Sequence, residues 1–164
     1  MSGLKALAKP AVVCAGILIL DQITKIAVQQ GMALHQSYPL LGEVVQLTYI
    51  QNPGAAFGIT LGGRWFYLVL SVIACAVMIY YLFRLPPVER WGRYAMMSIL
   101  GGAIGNLIDR AVYGAVTDFI DIGVGAYRWP VFNVADSAIT IGIILLFTRL
   151  SAINRILNDE APSG

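Results

Sequence analysis

Trp65-Phe66-Tyr67-Leu68-Val69-Leu70-Ser71-Val72-Ile73-Ala74-Cys75-Ala76-Val77-Met78-Ile79-Tyr80-Tyr81-Leu82-Phe83 carries no charge and is bracketed by Arg64 and Arg84. An α-helix needs about 20 predominantly apolar residues to cross the hydrocarbon core of a bilayer, and this run is of that length. Composition agrees: the 164-residue chain is 58% hydrophobic and 12% charged, where a soluble domain carries roughly 25% charged residues. Mean hydropathy is +0.73. Three further segments approach the same length, about residues 11–28, 94–112 and 134–150. The expected fold is therefore a mainly α membrane protein of four transmembrane helices, and no linker or low-complexity stretch divides residues 1–164, so one domain is expected.

The basic residues orient these spans. Lys5, Lys9, Arg84, Arg90, Arg93, Arg149 and Arg155 fall on one side, and Lys25, Arg64, Arg110 and Arg128 on the other. By the positive-inside rule the richer side is cytoplasmic, with both termini on it. Asp21, Asp109, Asp118, Asp121 and Asp136 then lie toward the outer face. Lys5 and Lys9 before an apolar run resemble the opening of a cleavable signal peptide, but Asp21-Gln22-Ile23-Thr24-Lys25 stands where small residues would mark a cleavage site. The first span is read as retained.

Outside the spans, Val45, Leu47 and Tyr49 alternate with Gln46, Thr48 and Ile50, which predicts a strand. Asn52-Pro53-Gly54 breaks it as a turn. Residues 31–63 are expected to form a small sheet on the outer membrane surface, with Asn52-Pro53-Gly54 as a lid, and residues 114–130 a shorter outer loop or helix.

Two aspartates stand out because a carboxylate at the edge of a hydrophobic span costs solvation energy and is usually retained for function. Asp118 lies in Val116-Thr117-Asp118-Phe119-Ile120, and Asp136 in Phe132-Asn133-Val134-Ala135-Asp136-Ser137. Meeting at one site, they would titrate as a pair, one carrying a proton while the other is ionised. A plainer reading of Asp136 is available: Asn133 as helix N-cap with Asp136 three residues into the helix, a capping-box-like pair. The two readings are compatible, and Asp118 is the neighbour that decides between them.

Other constellations divide between packing and chemistry. Gly101 and Gly105 form a GxxxG, and Ser98 with Gly102 a second small pair, both read as close helix approach. Asp21 and Lys25, spaced i, i+4, read as a structural ion pair, and Asp109 with Arg110 as a headgroup anchor. Asn106 and Arg110 share a helix face where an amide and a guanidinium could grip a peptide carbonyl. Rival hydrolytic chemistries lack parts. His35 is the sole histidine, and Cys14 and Cys75 sit in apolar segments without a partner base, as small hydrophobes with no disulfide. Lys25 already has Asp21 beside it. No metal or organic cofactor is expected, and the basic residues form no nucleic-acid patch.

Five blocks in order then resemble the lipoprotein signal peptidases (type II signal peptidases) of bacteria: Leu20-Asp21-Gln22-Ile23-Thr24-Lys25, Asn52-Pro53-Gly54-Ala55-Ala56-Phe57-Gly58, the glycine-rich run from Gly101 to Arg110, Val116-Thr117-Asp118-Phe119-Ile120, and Phe132-Asn133-Val134-Ala135-Asp136-Ser137. Pro53, Thr117 and Val134 depart from the residues common there. The resemblance implies a multi-pass inner-membrane aspartic endopeptidase with a small outer β-cradle. Its partners would be membrane lipid and a diacylglyceryl-modified prolipoprotein, cut just before the lipidated cysteine, and it would act as a monomer. Asp118 and Asp136 match the catalytic pair. Asp21, Asn52, Gly54, Asn106, Arg110, Asn133 and Ala135 match positions that support the pair or hold substrate. The alternative is a small proton- or cation-coupled transporter using the same intramembrane aspartates, although four spans without an internal repeat argue against it. A scaffold built on the glycine face is a third reading.

Overall fold

The computed structural model describes residues 5–54, 63–86 and 88–159, with side chains given only in part beyond residue 150. Ala55-Ala56-Phe57-Gly58, part of the second family-like block, lies outside the described residues, as do residues 59–62 of the expected outer sheet region.

Four long helices dominate: α1 (Ala8–Gly31), α2 (Arg64–Arg84), α3 (Arg90–Val112) and α4 (Val134–Asp159). A short 3-10 turn, Lys5–Leu7, leads into α1. Each helix contains one of the four predicted segments; α2 adds one residue at each end and α4 continues nine residues past 150, because helix continues into the polar flanks after the apolar run has ended. The segments Lys5–Gly31 and Arg64–Arg84 are long and apolar enough to cross a membrane. By that measure α3 is not, for a physical reason. It packs against all three other helices, so its surface is tuned to close contact rather than to lipid. A Cβ on Gly101 would lie 2.9 Å from the Cys14 carbonyl oxygen of α1, and one on Gly102 only 2.4 Å from the Ala135 carbonyl oxygen of α4. Both small-residue pairs of the sequence are thus packing faces. The outward faces of α1, α2 and α4 expose large apolar side chains, among them Val12, Ile23, Phe66, Val69, Ile141 and Phe147.

The strands form one antiparallel order, β1 (Ser37–Leu41), β2 (Val45–Asn52), β3 (Val116–Val124) and β4 (Tyr127–Arg128). β2 is the strand that the alternation predicted. The stretch after α3 corrects the reading of residues 114–130 as a loop or helix: most of it is β3 and β4. Its β-branched and aromatic residues suit a strand, but Val116, Thr117, Asp118 and Phe119 are all buried. Burial on both faces erased the period-two signal. Gly114, at φ +80°, turns the chain from α3 into β3, a backbone region open chiefly to glycine. Val28 of α1, Tyr49 of β2 and Phe119 of β3 form a small core that docks the sheet onto the helices.

Candidate active site

The backbone brings the two aspartates together at the junction of β3 and α4. Ile120 and Phe132 exchange hydrogen bonds (2.7 and 3.0 Å), and the Phe132 carbonyl also accepts from Phe119 N (3.0 Å). The chain entering α4 is thus pinned beside the strand that carries Asp118. Asn133 follows and caps α4: its Oδ1 accepts from Asp136 N (2.9 Å), and Asp136 Oδ2 accepts from Asn133 N (3.3 Å). That reciprocal pair is the capping box the spacing predicted.

The same asparagine reaches the other carboxylate. Its Nδ2 donates to Asp118 Oδ1 at 2.7 Å, and to the Asn106 Oδ1 and Thr117 carbonyl at 3.2 and 3.3 Å. Asp118 Oδ2 accepts from Asn52 Nδ2 (3.1 Å), and Asp136 Oδ1 from Asn106 Nδ2 (2.8 Å). Both carboxylates line one cavity of about 880 Å³. Its remaining wall is largely apolar, with Ile50, Val116, Val131, Ile139 and Ile141. Burial, with the Asp136 carboxylate next in weight, pushes the Asp118 carboxyl up from 3.8 to about 7, against the opposing hydrogen bonds from Asn52 and Asn133. Burial disfavours the charged form and a second carboxylate adds to it, so a proton is retained near neutral pH.

All nine residues singled out in the sequence belong to one hydrogen-bonded assembly. Asn52 Oδ1 accepts from Gly54 N (3.0 Å), and the Gly54 carbonyl accepts from Arg110 Nη2 (3.2 Å). Arg110 lines the cavity, and its Nε is buried without a hydrogen-bond partner among the described residues. Asp21 Oδ1 accepts from Ala135 N (2.9 Å), tying α1 to the first turn of α4. Pro53 also lines the cavity.

Two residues matter more than the sequence suggested. Lys25 is 1% exposed and its Nζ contacts Asp21 Oδ2 (2.9 Å), Asp109 Oδ2 (3.1 Å) and Asn106 Oδ1 (2.9 Å). Asp109 is not a headgroup anchor. It is 1% exposed, pairs with Lys25 and accepts from the Thr117 amide at 2.9 Å. The expected i, i+4 pair is therefore a buried triad of two carboxylates and one ammonium. By engaging Asn106 Oδ1, Lys25 leaves Asn106 Nδ2 to face Asp136. Spacing showed only Asp21 and Lys25; Asp109 joins through tertiary contact between α1 and α3, which sequence spacing cannot report. Thr117, 0% exposed, accepts from Gln29 Nε2 at 2.7 Å. Among the described residues no group of three or more histidines, cysteines or acids is arranged to hold a metal ion.

A family model described as Signal peptidase (SPase) II matches residues 13–152. The lipoprotein signal peptidase of Geobacillus kaustophilus (strain HTA426) is 44% identical over 138 residues, 84% of this chain and 90% of that protein. That of Bacillus subtilis (strain 168) is 40% identical over 134 residues, 82% and 87% of the two chains. A solved bacterial membrane enzyme superposes with a TM-score of 0.81 at 29% identity, covering 95% of this chain and 93% of that one. A second, at 32% identity, gives 0.79 over 87% and 92%.

Proposed function

The chain belongs to the signal peptidase II family, and on that premise we propose an aspartic mechanism in which Asp118 and Asp136 share one proton across the scissile peptide. The protein is a membrane protease that removes signal peptides from prolipoproteins. In the proposed chemistry the substrate carries diacylglycerol on its cysteine and is cut at the bond just before it. A water held between the carboxylates loses a proton to the ionised one as its oxygen attacks the scissile carbonyl. The protonated carboxyl donates a hydrogen bond to the carbonyl oxygen, stabilising the negative charge that develops there. The proton taken from water then passes to the departing nitrogen of the cysteine. One of the two carries that proton and the other acts as base; burial and the neighbouring carboxylate raise Asp118 to about 7, so the pair holds its shared proton near neutral pH.

The observation that carries this reading is Asn133, whose amide holds Asp118 while its backbone and side-chain oxygen hold Asp136. Catalytic groups must be fixed in productive geometry, and one residue gripping both does so. Around it, Asn52 and Asn106 orient the carboxylates, and Asp21 fixes Ala135 and so the first turn of α4. Gly54 seats the Arg110 guanidinium, whose Nε is left for a substrate carbonyl. The apolar wall suits a signal-peptide segment delivered within the bilayer.

Residues 1–164 act as a single domain and as a monomer in this reading. The four helices span the bacterial inner membrane with both termini cytoplasmic and the carboxylates toward the outer face. Lipid covers the apolar faces of α1, α2 and α4, and the sheet lies on the outer surface, limiting bulk water at the site. The test is cleavage of a diacylglyceryl-modified prolipoprotein in detergent, with hydroxylamine present. Direct attack by water gives the free carboxyl product alone. Accumulation of a hydroxamate would reveal a covalent acyl-enzyme and overturn the aspartic mechanism.

A further inference from the structure

A second cavity, of about 560 Å³, opens between the start of α1 and the first turns of α3, lined by Lys5, Lys9, Pro10, Arg90, Trp91 and Tyr94. It is remote from the carboxylates. Along α3 the rise from residue 90 to residue 106 is about 24 Å, most of the thickness of a bilayer core. Three cations from two sequence-distant segments meet here. Lys5 of the 3-10 turn and Lys9 of the first turn of α1 line the same cavity, and Arg90 opens the helix opposite. None of the three has an acidic partner among the described residues. The acid next to Arg90 is already committed: Glu89 caps Gly92 N at 2.9 Å and pairs with Arg149 at 3.2 Å.

The wall is aromatic. The Trp91 and Tyr94 rings lie 5.9 Å apart, and the Arg90 guanidinium stands 6.0 Å over the Trp91 ring. Trp91 and Tyr94 are the residue types that settle at the headgroup level of a membrane. One turn deeper on α1, Val12 and Val13 are exposed, a surface suited to an acyl chain. The volume exceeds what a bare phosphate needs and falls within the range of small-molecule pockets, roughly 300–1,000 Å³.

We propose that this cavity binds the phosphodiester headgroup of an anionic phospholipid in the leaflet opposite the active site. Lys5, Lys9 and Arg90 hold the phosphate, and Trp91 and Tyr94 pack against the glycerol and upper acyl region. Basic pockets between helices on the cytoplasmic side are suited to such headgroups. The inference rests on the membrane-spanning reading above. It makes the site a lipid anchor, separate from peptide cleavage.

The test uses the full chain in nanodiscs of zwitterionic lipid doped with phosphatidylglycerol, followed by native mass spectrometry of the lipids retained after extraction. Wild type should retain phosphatidylglycerol, and Lys5→Gln/Lys9→Gln/Arg90→Gln should lose it by tenfold or more. The single variants Lys9→Gln and Arg90→Gln should each lose on the order of fivefold, since one cation near an anionic headgroup contributes about that factor. Prolipoprotein cleavage, preserved in every variant, reports the fold. Arg84→Gln removes a charge from the same side of the protein and should change nothing. Equal retention in the triple variant, or equal loss in Arg84→Gln, overturns the site. Displacement of the lipid by millimolar inorganic phosphate overturns the lipid assignment in favour of a free-anion site. Failure of the wild type to enter nanodiscs would refute the membrane reading itself, a result distinct from any of these.

Discussion

Replacing Lys25 with methionine, which keeps most of the side-chain volume, removes the one cation between two buried carboxylates. Asp21 and Asp109 are 0% and 1% exposed, and Lys25 Nζ lies 2.9 and 3.1 Å from them. Breaking a buried ion pair by deleting one partner costs about 3–5 kcal/mol, mostly because the other charge stays buried and unpaired. Here two carboxylates are left, so Lys25→Met should cost at least that much, a large share of the roughly 5–15 kcal/mol that holds a typical domain together. Asp109→Asn should cost less, on the order of 1–3 kcal/mol, since Lys25 keeps Asp21 and the amide oxygen can still accept from Thr117 N. The double variant Lys25→Met/Asp109→Asn should be more stable than Lys25→Met alone, because one buried charge remains instead of two. Unfolding in detergent micelles, followed by tryptophan fluorescence, measures all four proteins as a double-mutant cycle. Were Lys25→Met within about 1 kcal/mol of wild type, or the two losses additive, the triad would not carry the charge balance argued here.

The remaining predictions concern packing, protonation and the sheet. Gly102→Ala places a methyl group 2.4 Å from the Ala135 carbonyl oxygen and 2.8 Å from Ile139 Cγ1. It should cost about 1–3 kcal/mol and lower cleavage as the start of α4 shifts; an unchanged melting temperature would contradict the α3–α4 contact. Asp118 is raised from 3.8 to about 7, so its contribution to stability is present in full below about pH 4 and is lost as pH rises through about 7. The difference is on the order of 4 kcal/mol, so Asp118→Asn should gain stability relative to wild type between pH 5 and pH 8. A pH-independent difference would argue against the buried pair. Cleavage by wild type should likewise decline as pH rises through about 7 and the shared proton is lost, whereas a rate still climbing at pH 9 would oppose the mechanism. Arg128→Gln breaks a 2.6 Å contact with Asp121, whose side chain is 7% exposed against 27% for Arg128, so the loss should be on the order of 1–3 kcal/mol with cleavage preserved. Loss of activity there would mean the sheet edge takes part in catalysis.

Much of the site was legible in the sequence because its residues act locally or by type. Asn133 and Asp136 announce themselves through N-cap spacing, Asn106 and Arg110 through a shared helix face, and Gly101, Gly102 and Gly105 through small-residue spacing. The β3 strand was hidden because both its faces are covered, leaving no alternation between Val116 and Phe119. Asp109 was misread because sequence pairs it with its neighbour Arg110, whereas packing of α1 on α3 pairs it with Lys25. The polarity of α3 had the same origin: a helix surrounded by protein need not look like one facing lipid. The basic cavity at Lys5, Lys9 and Arg90 joins segments far apart in the chain, so nothing local marks it.

The most direct measurement is single-turnover cleavage of a diacylglyceryl-modified prolipoprotein by purified wild type, Asp118→Asn and Asp136→Asn, each checked for an intact fold. The two-carboxylate account predicts that wild type cuts immediately before the lipidated cysteine, while both variants remain folded and lose cleavage by at least about a thousandfold. Cleavage within about tenfold of wild type by either folded variant would contradict it.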